Sequence, residues 1–177
     1  LIDQVLKFYV KLNFELNESV LMGGFDWARV QFAENEGMAF SLSLGGSYGK
    51  LILSLFRIIM ITAIIWYIRQ SISALAPGGF ITALALIAAG AIGNIIDSAI
   101  YGLIFTESIP GQGPAHLISA GESGYGTFLH GKVVDMLFFP ITDIHLPDWL
   151  PVWGGENMLF FGAIFNIADA AITCGIM

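Results

Sequence analysis

The stretch Phe165-Asn166-Ile167-Ala168-Asp169-Ala170-Ala171-Ile172 decides how this chain is read. It lies within Leu159–Met177, nineteen residues whose only clearly polar side chains are Asn166, Asp169 and Thr173. As one helix that run is about as long as the hydrocarbon layer of a bilayer is thick. An aspartate facing lipid there costs roughly 2.5 to 3.5 kcal/mol on insertion scales. Asp169 is therefore expected to face protein or water, with a partner.

Composition gives that run its setting. The 177 residues are 56% hydrophobic and only 12% charged, with a mean hydropathy of +0.76. A soluble domain carries about 25% charged residues, so an integral membrane protein of one small helical domain is expected. Seven Lys+Arg and a net charge of −7 leave no basic patch to neutralise phosphates, which excludes nucleic acid as a partner. The single cysteine, Cys174, excludes an intrachain disulfide and reads as a packing residue. The chain opens with Leu1-Ile2-Asp3-Gln4 rather than a methionine, and the start of a first apolar helix is expected upstream of it.

Outward from the C-terminal run, two other segments are long enough to span. Lys50–Ile68 is apolar except for Arg57, and Phe80–Tyr101 repeats small residues at Ala85, Ala89 and Gly93. Small residues four apart form a seam that admits a second helix closely. Between these spans, Arg69–Gly79 ends in Pro77-Gly78-Gly79, a helix stop and restart. Residues 1–12 read as the outer end of a first spanning helix, with Asp3 and Lys7 as a local ion pair near the membrane surface.

Residues 13–47 alternate polar and apolar in Phe14-Glu15-Leu16-Asn17 and Trp27–Phe32, a strand signal, with turns at Gly23-Gly24 and Gly45-Gly46. A small antiparallel β-structure at the membrane surface is expected there. Gly102–Glu156 is the longest polar region, with an apolar patch at Val133–Phe139. Its Trp149 and Trp153 are residues of the kind found at membrane interfaces. Three visible spans plus the truncated one make an all-α, four-transmembrane-helix bundle. Both long polar regions then lie on the side opposite the termini.

Asn94/Asp97 and Asn166/Asp169 share an Asn-x-x-Asp spacing, so in a helix each amide lies beside its acid on one face. With Asp135, which falls in the wetter outer region, these supply three candidates for a pair of carboxylates sharing one proton. Two acids a few ångströms apart do not both ionise, so the charged member can activate water while the protonated one polarises a carbonyl. Spacing alone leaves open which two of Asp97, Asp135 and Asp169 form the pair. His116, His130 and His145 are scattered and no His-Glu-x-x-His occurs, so no metal or other cofactor is expected. Intramembrane Asp and Asn also build ion relays, which makes a small transporter or proton-conducting protein the rival class.

Five ordered motifs carry a resemblance. They are Asp3-Gln4-x-x-Lys7, Asn35-x-Gly37-x-Ala39-Phe40, Gly93-Asn94-x-x-Asp97, Val133-Val134-Asp135 and Phe165-Asn166-x-Ala168-Asp169-x-x-Ile172. Together they resemble lipoprotein signal peptidase, signal peptidase II, a bacterial membrane aspartyl protease, over nearly the whole chain. The resemblance implies that Asp135 and Asp169 are the catalytic acids, with Asn35, Gly37, Asn94, Asp97 and Asn166 binding substrate or supporting them. Ser98 stands where that family has an arginine, so its guanidinium contact is not carried over, and Arg57 or Arg29 are the remaining sources of such a charge. Residues 103–130 read as an insertion, as in the Bacteroidetes versions of the family.

The resemblance also implies a multi-pass protein of the bacterial cytoplasmic (inner) membrane with its site toward the outer face. Its substrate is a prolipoprotein bearing diacylglycerol on the lipobox cysteine, cut just before that cysteine, with water as nucleophile and no cofactor. Membrane lipid and globomycin-type inhibitors are the further partners implied, and residues 13–47 would cradle the substrate.

Overall fold

The computed structural model describes residues 1–35, 46–149, 151 and 154–177. Helix α1 is Ile2–Asn13, and strands β1 (Ser19–Met22) and β2 (Phe25–Asn35) follow as a hairpin. Two long apolar helices come next, α2 (Gly46–Ser73) and α3 (Gly78–Ile96). The axis of α3 continues through a π-helical turn, Asp97–Tyr101, and one α turn, Gly102–Ile104. Strand β3 (Val133–Phe138), a hairpin of β4 (Thr142–His145) and β5 (Asn157–Phe160), and the short helix α4 (Ile167–Ile176) complete the chain.

Among the described residues, two helices are long and apolar enough to cross a membrane, Leu51–Ser73 and Gly78–Ile104. The C-terminal run is a correction: only ten of its residues are helical. Asn157–Phe160 is strand, and Leu159 O accepts from Gly162 N at 3.1 Å in a turn. The helix starts only after Asn166, whose side chain accepts from Asp169 N while Asp169 accepts from Asn166 N, a reciprocal capping box. Asn166 therefore caps the helix and does not lie on its face.

The linker after α2 is shorter than expected, because that helix runs to Ser73. Gly46 opens α2 instead of a turn, and Gly45 lies outside the described residues, as does Trp153. Trp149 is exposed.

Helices α3 and α4 pack where side chains are absent. A Cβ on Gly90 would sit 2.2 Å from Ala168 O, and one on Gly175 would sit 2.6 Å from Ala83 O. Gly93 belongs to the same contact, but Ala85 and Ala89 face outward. The expected seam thus turns toward Gly90 and Gly93. Cys174, read as a packing residue, is exposed on α4.

The apolar patch at 133–139 forms the strand that completes an antiparallel sheet, β1-β2-β3. Its register pairs Ala33 with Asp135, Glu34 with Val134 and Asn35 with Val133. Directly paired residues share a face, so Asn35, Ala33 and Asp135 point one way and Phe32, Glu34, Val134 and Met136 the other. The second face covers a core of Val10, Phe32, Tyr101, Phe105, Val134 and Met136. Phe8, Tyr101 and Phe105 stack edge to face there, with centroids 5.0 to 5.3 Å apart.

The segment read as an insertion folds back on the end of α3. Gly126 N donates to Gly102 O at 2.9 Å and Gly131 N to Ser98 O at 2.8 Å. A Cβ at Gly124 or Gly131 would lie 2.1 Å from a backbone oxygen of this helix end, so only glycine permits the approach.

Candidate active site

The site forms where α1, α3, β3 and the start of α4 converge. Asp135 is 5% exposed, which corrects its placement in a wet outer loop; β2 and β3 carry it inward. Asn166 Nδ2 donates to Asp135 Oδ1 at 2.7 Å, and also approaches Asn94 Oδ1 at 3.1 Å and Val134 O at 3.3 Å. Asn94 Nδ2 in turn donates to Asp169 Oδ1 at 2.8 Å. Two amides thereby link two acids. Asp169 Oδ2 accepts from the capping Asn166 N at 3.3 Å, which fixes that carboxyl at the helix start.

Asp97 belongs to a supporting layer. It is fully buried and pairs with Lys7 Nζ at 2.8 Å. It accepts from Gln4 Nε2 at 2.8 Å and from Val134 N at 3.1 Å, and so ties α1 and α3 to the residue before Asp135. Lys7 also meets Asp3 at 3.2 Å and donates to Asn94 Oδ1 at 2.9 Å. Asp3 Oδ1 accepts from Ala168 N at 3.0 Å. The Asp3–Lys7 pair exists, but it is no surface pair: Lys7 has no solvent exposure and its charge serves several elements. The sequence signal for this was that Asp3, Lys7 and Lys11 fall one turn apart along a single face of α1.

Burial, and after it the charge of Asp169, push the Asp135 carboxyl up to about 7. Hydrogen bonds from Asn166 and Asn35, with the charge of Lys7 between them in weight, act in the opposite direction. Arg57, on α2, interacts electrostatically with Asp169 first and Asp135 second. Arg29 instead donates to Asp26 O at 3.0 Å, so of the two arginines it is Arg57 that faces the acids. Ser98 is buried and turned to Asn94 O at 3.3 Å.

Asn35, Asn94, Asp97, Asp135, Asn166 and Asp169 thus occupy one locus, whereas Gly37 lies outside the described residues. Chemically, the locus offers a carboxyl able to carry a proton at neutral pH, a second carboxyl held by amides, and hydrogen-bond donors on both.

The family model described as Signal peptidase (SPase) II matches residues 1–177. A lipoprotein signal peptidase of Porphyromonas gingivalis is 44% identical over 180 residues, covering 99% of this chain and 75% of the relative. One from Amoebophilus asiaticus is 33% identical over 181 residues, covering 99% and 70%. A solved structure of a bacterial membrane enzyme superposes with a TM-score of 0.61 at 20% identity, covering 99% of this chain and 76% of that one.

Proposed function

The chain belongs to the signal peptidase II family, and on that premise we propose that Asp135 and Asp169 are its catalytic dyad. The substrate is a prolipoprotein carrying diacylglycerol on the cysteine after the cut, and the product is the released signal peptide. Asp169 takes a proton from water as the oxygen attacks the scissile carbonyl carbon. Asp135, protonated, donates to the carbonyl oxygen and stabilises the tetrahedral intermediate. The peptide C–N bond then breaks as the leaving nitrogen takes up the proton, and the pair is restored. Asn94 and Asn166 hold the acids, and Asp97 with Lys7 holds the strand that presents Asp135.

The observation carrying this reading is the amide relay between the two acids, together with the raised carboxyl of Asp135. The chain forms one membrane-embedded domain of the inner membrane, a four-helix bundle in which α2 and α3 are the helices long enough to span. Its site lies near the outer leaflet, where acyl chains remain in lipid while the scissile peptide enters between helices. Within the 13–47 region the hairpin of β1 and β2 lies over the substrate, residues 36–45 being outside the described residues, and globomycin-type cyclic peptides bind between the acids.

The test is cleavage of a lipid-modified precursor in detergent. Asp135→Asn and Asp169→Asn should each slow it by roughly 10²–10⁴-fold while the protein remains folded. Wild-type rates in either variant would remove the dyad. An unlipidated precursor should be a much poorer substrate, and equal rates on both forms would remove lipid recognition. An ion conductor, the rival class, predicts proton flux in vesicles and no dependence of precursor processing on either acid.

A further inference from the structure

A second buried charge cluster lies behind the sheet, on the face away from the acids. Glu34 pairs there with Lys11, and neither side chain is more than 3% exposed. Ser108 Oγ donates to Glu34 Oε1 at 3.0 Å and accepts from Lys11 Nζ at 2.9 Å. Lys132 Nζ stands 3.6 Å from Glu34 Oε2, a buried oxygen with no hydrogen-bond donor among the described residues. Lys11 Nζ also lies 5.1 to 5.9 Å from the ring centres of Tyr125, Phe105 and Phe32.

Desolvating this many charges is expensive, and replacing a buried ion pair by apolar residues is often neutral or stabilising. Stability is therefore weak grounds for the cluster. Its position supplies a better one. Strand β2 ends at Asn35, directly after Glu34. The two side chains leave the strand on opposite faces, Glu34 into the cluster and Asn35 to the side of Asp135, with which it hydrogen-bonds. Lys11 comes from α1, Ser108 from the segment after α3, and Lys132 from the residue before β3, so three separate parts of the chain grip one carboxylate. That grip fixes both the twist and the register of the last residues of β2.

We propose that Glu34, clamped by Lys11, Ser108 and Lys132, is a positioning residue that holds Asn35 against Asp135. This rests on the dyad reading above. Asn35 donates to the charged form of Asp135, so releasing it moves the Asp135 titration to higher pH. The other groups bearing on Asp135 are Asp169 and Asn166 at the start of α4, Lys7 of α1 and Arg57 of α2, whereas Glu34 is held by Lys11, Ser108 and Lys132.

The test is a cycle of Glu34→Gln, Asn35→Ala and the double variant, read by the pH dependence of cleavage of a lipid-modified precursor. Glu34→Gln should lower kcat by roughly 10- to 100-fold, with KM within about twofold. The alkaline limb should move upward, as it does in Asn35→Ala. The double variant should be no slower than Asn35→Ala alone, because Glu34 acts through Asn35. Additive losses, or a slower enzyme with an unmoved limb, would overturn the proposal. Should Glu34→Gln not fold, Ser108→Ala enters the same cycle with a several-fold loss and the same shift, and an unmoved limb there overturns it equally. Asp135→Asn is assayed alongside. If it cleaves normally, the dyad and the clamp fall together; if it is dead while Glu34→Gln is normal, only the clamp falls.

Discussion

Lys7 and Lys11 sit one turn apart on α1, and both are fully buried, yet they serve opposite arrangements. Among the described residues around Lys7 the acids outnumber the cations: Asp3, Asp97, Asp135 and Asp169 face Lys7 and Arg57. Around Lys11 the described residues show no such surplus: the buried Glu34 and the exposed Glu107 face Lys11 and Lys132, and aromatic rings surround the ammonium. A buried locus with surplus carboxylates has to keep a proton on one of them. A balanced one does not, and it can only hold things in place. The first arrangement suits acid–base chemistry and the second suits a clamp.

The largest expected effect breaks this comparison most easily. Lys7→Met leaves Asp97 and Asp3 without their shared cation, and unfolding should become easier by about 3–5 kcal/mol. Lys11→Met leaves Glu34 with Lys132 and Ser108, and the loss should be nearer 1–3 kcal/mol. Denaturation of both variants in detergent checks the order, and the reverse order would contradict the difference drawn between the clusters.

Asn166→Ala should come next, removing a helix cap for about 1–2 kcal/mol and, with it, the amide that joins Asp135 to Asn94. Its cleavage rate should fall by more than that stability change accounts for. Gly90→Ala should weaken the α3–α4 contact by about 1–3 kcal/mol, since its Cβ would meet Ala168 O at 2.2 Å. Ala85→Leu, on the outward side of the same helix, should stay within about 0.5 kcal/mol of the parent. Similar losses at both positions would return the seam to the alanines.

How much of this was legible in the sequence differs by element. Length and hydropathy suffice for α2 and α3, because spanning a bilayer is a requirement on composition. The same rule misreads 159–177, because Asn166 and Asp169 satisfy each other as a cap and start the helix only at Ile167. The hairpin of β4 and β5 escapes pattern reading because each strand is only four residues long. Among the site residues, Asp169 stands out as an acid in an apolar run and Asp135 through the motif resemblance. The burial of Asp135 does not, since it depends on the pairing of β3 with β2. The Lys11–Glu34 pair is invisible for the same reason: its members sit on different elements, and nothing local marks them as partners.

Asp135 holds a proton that burial and the charge of Asp169 keep there. A carboxyl at about 7 in the folded chain, against the ordinary 3.8, binds a proton that the unfolded chain has already lost. Its contribution to stability therefore falls as pH rises from about 4 to about 7 and is level above that. The most direct measurement is an infrared titration of the protonated carboxyl stretch. A band with a midpoint near 7 is predicted, absent in Asp135→Asn and moved to lower pH in Asp169→Asn. A band that persists in Asp135→Asn, or a midpoint unmoved in Asp169→Asn, would contradict the shared-proton pair.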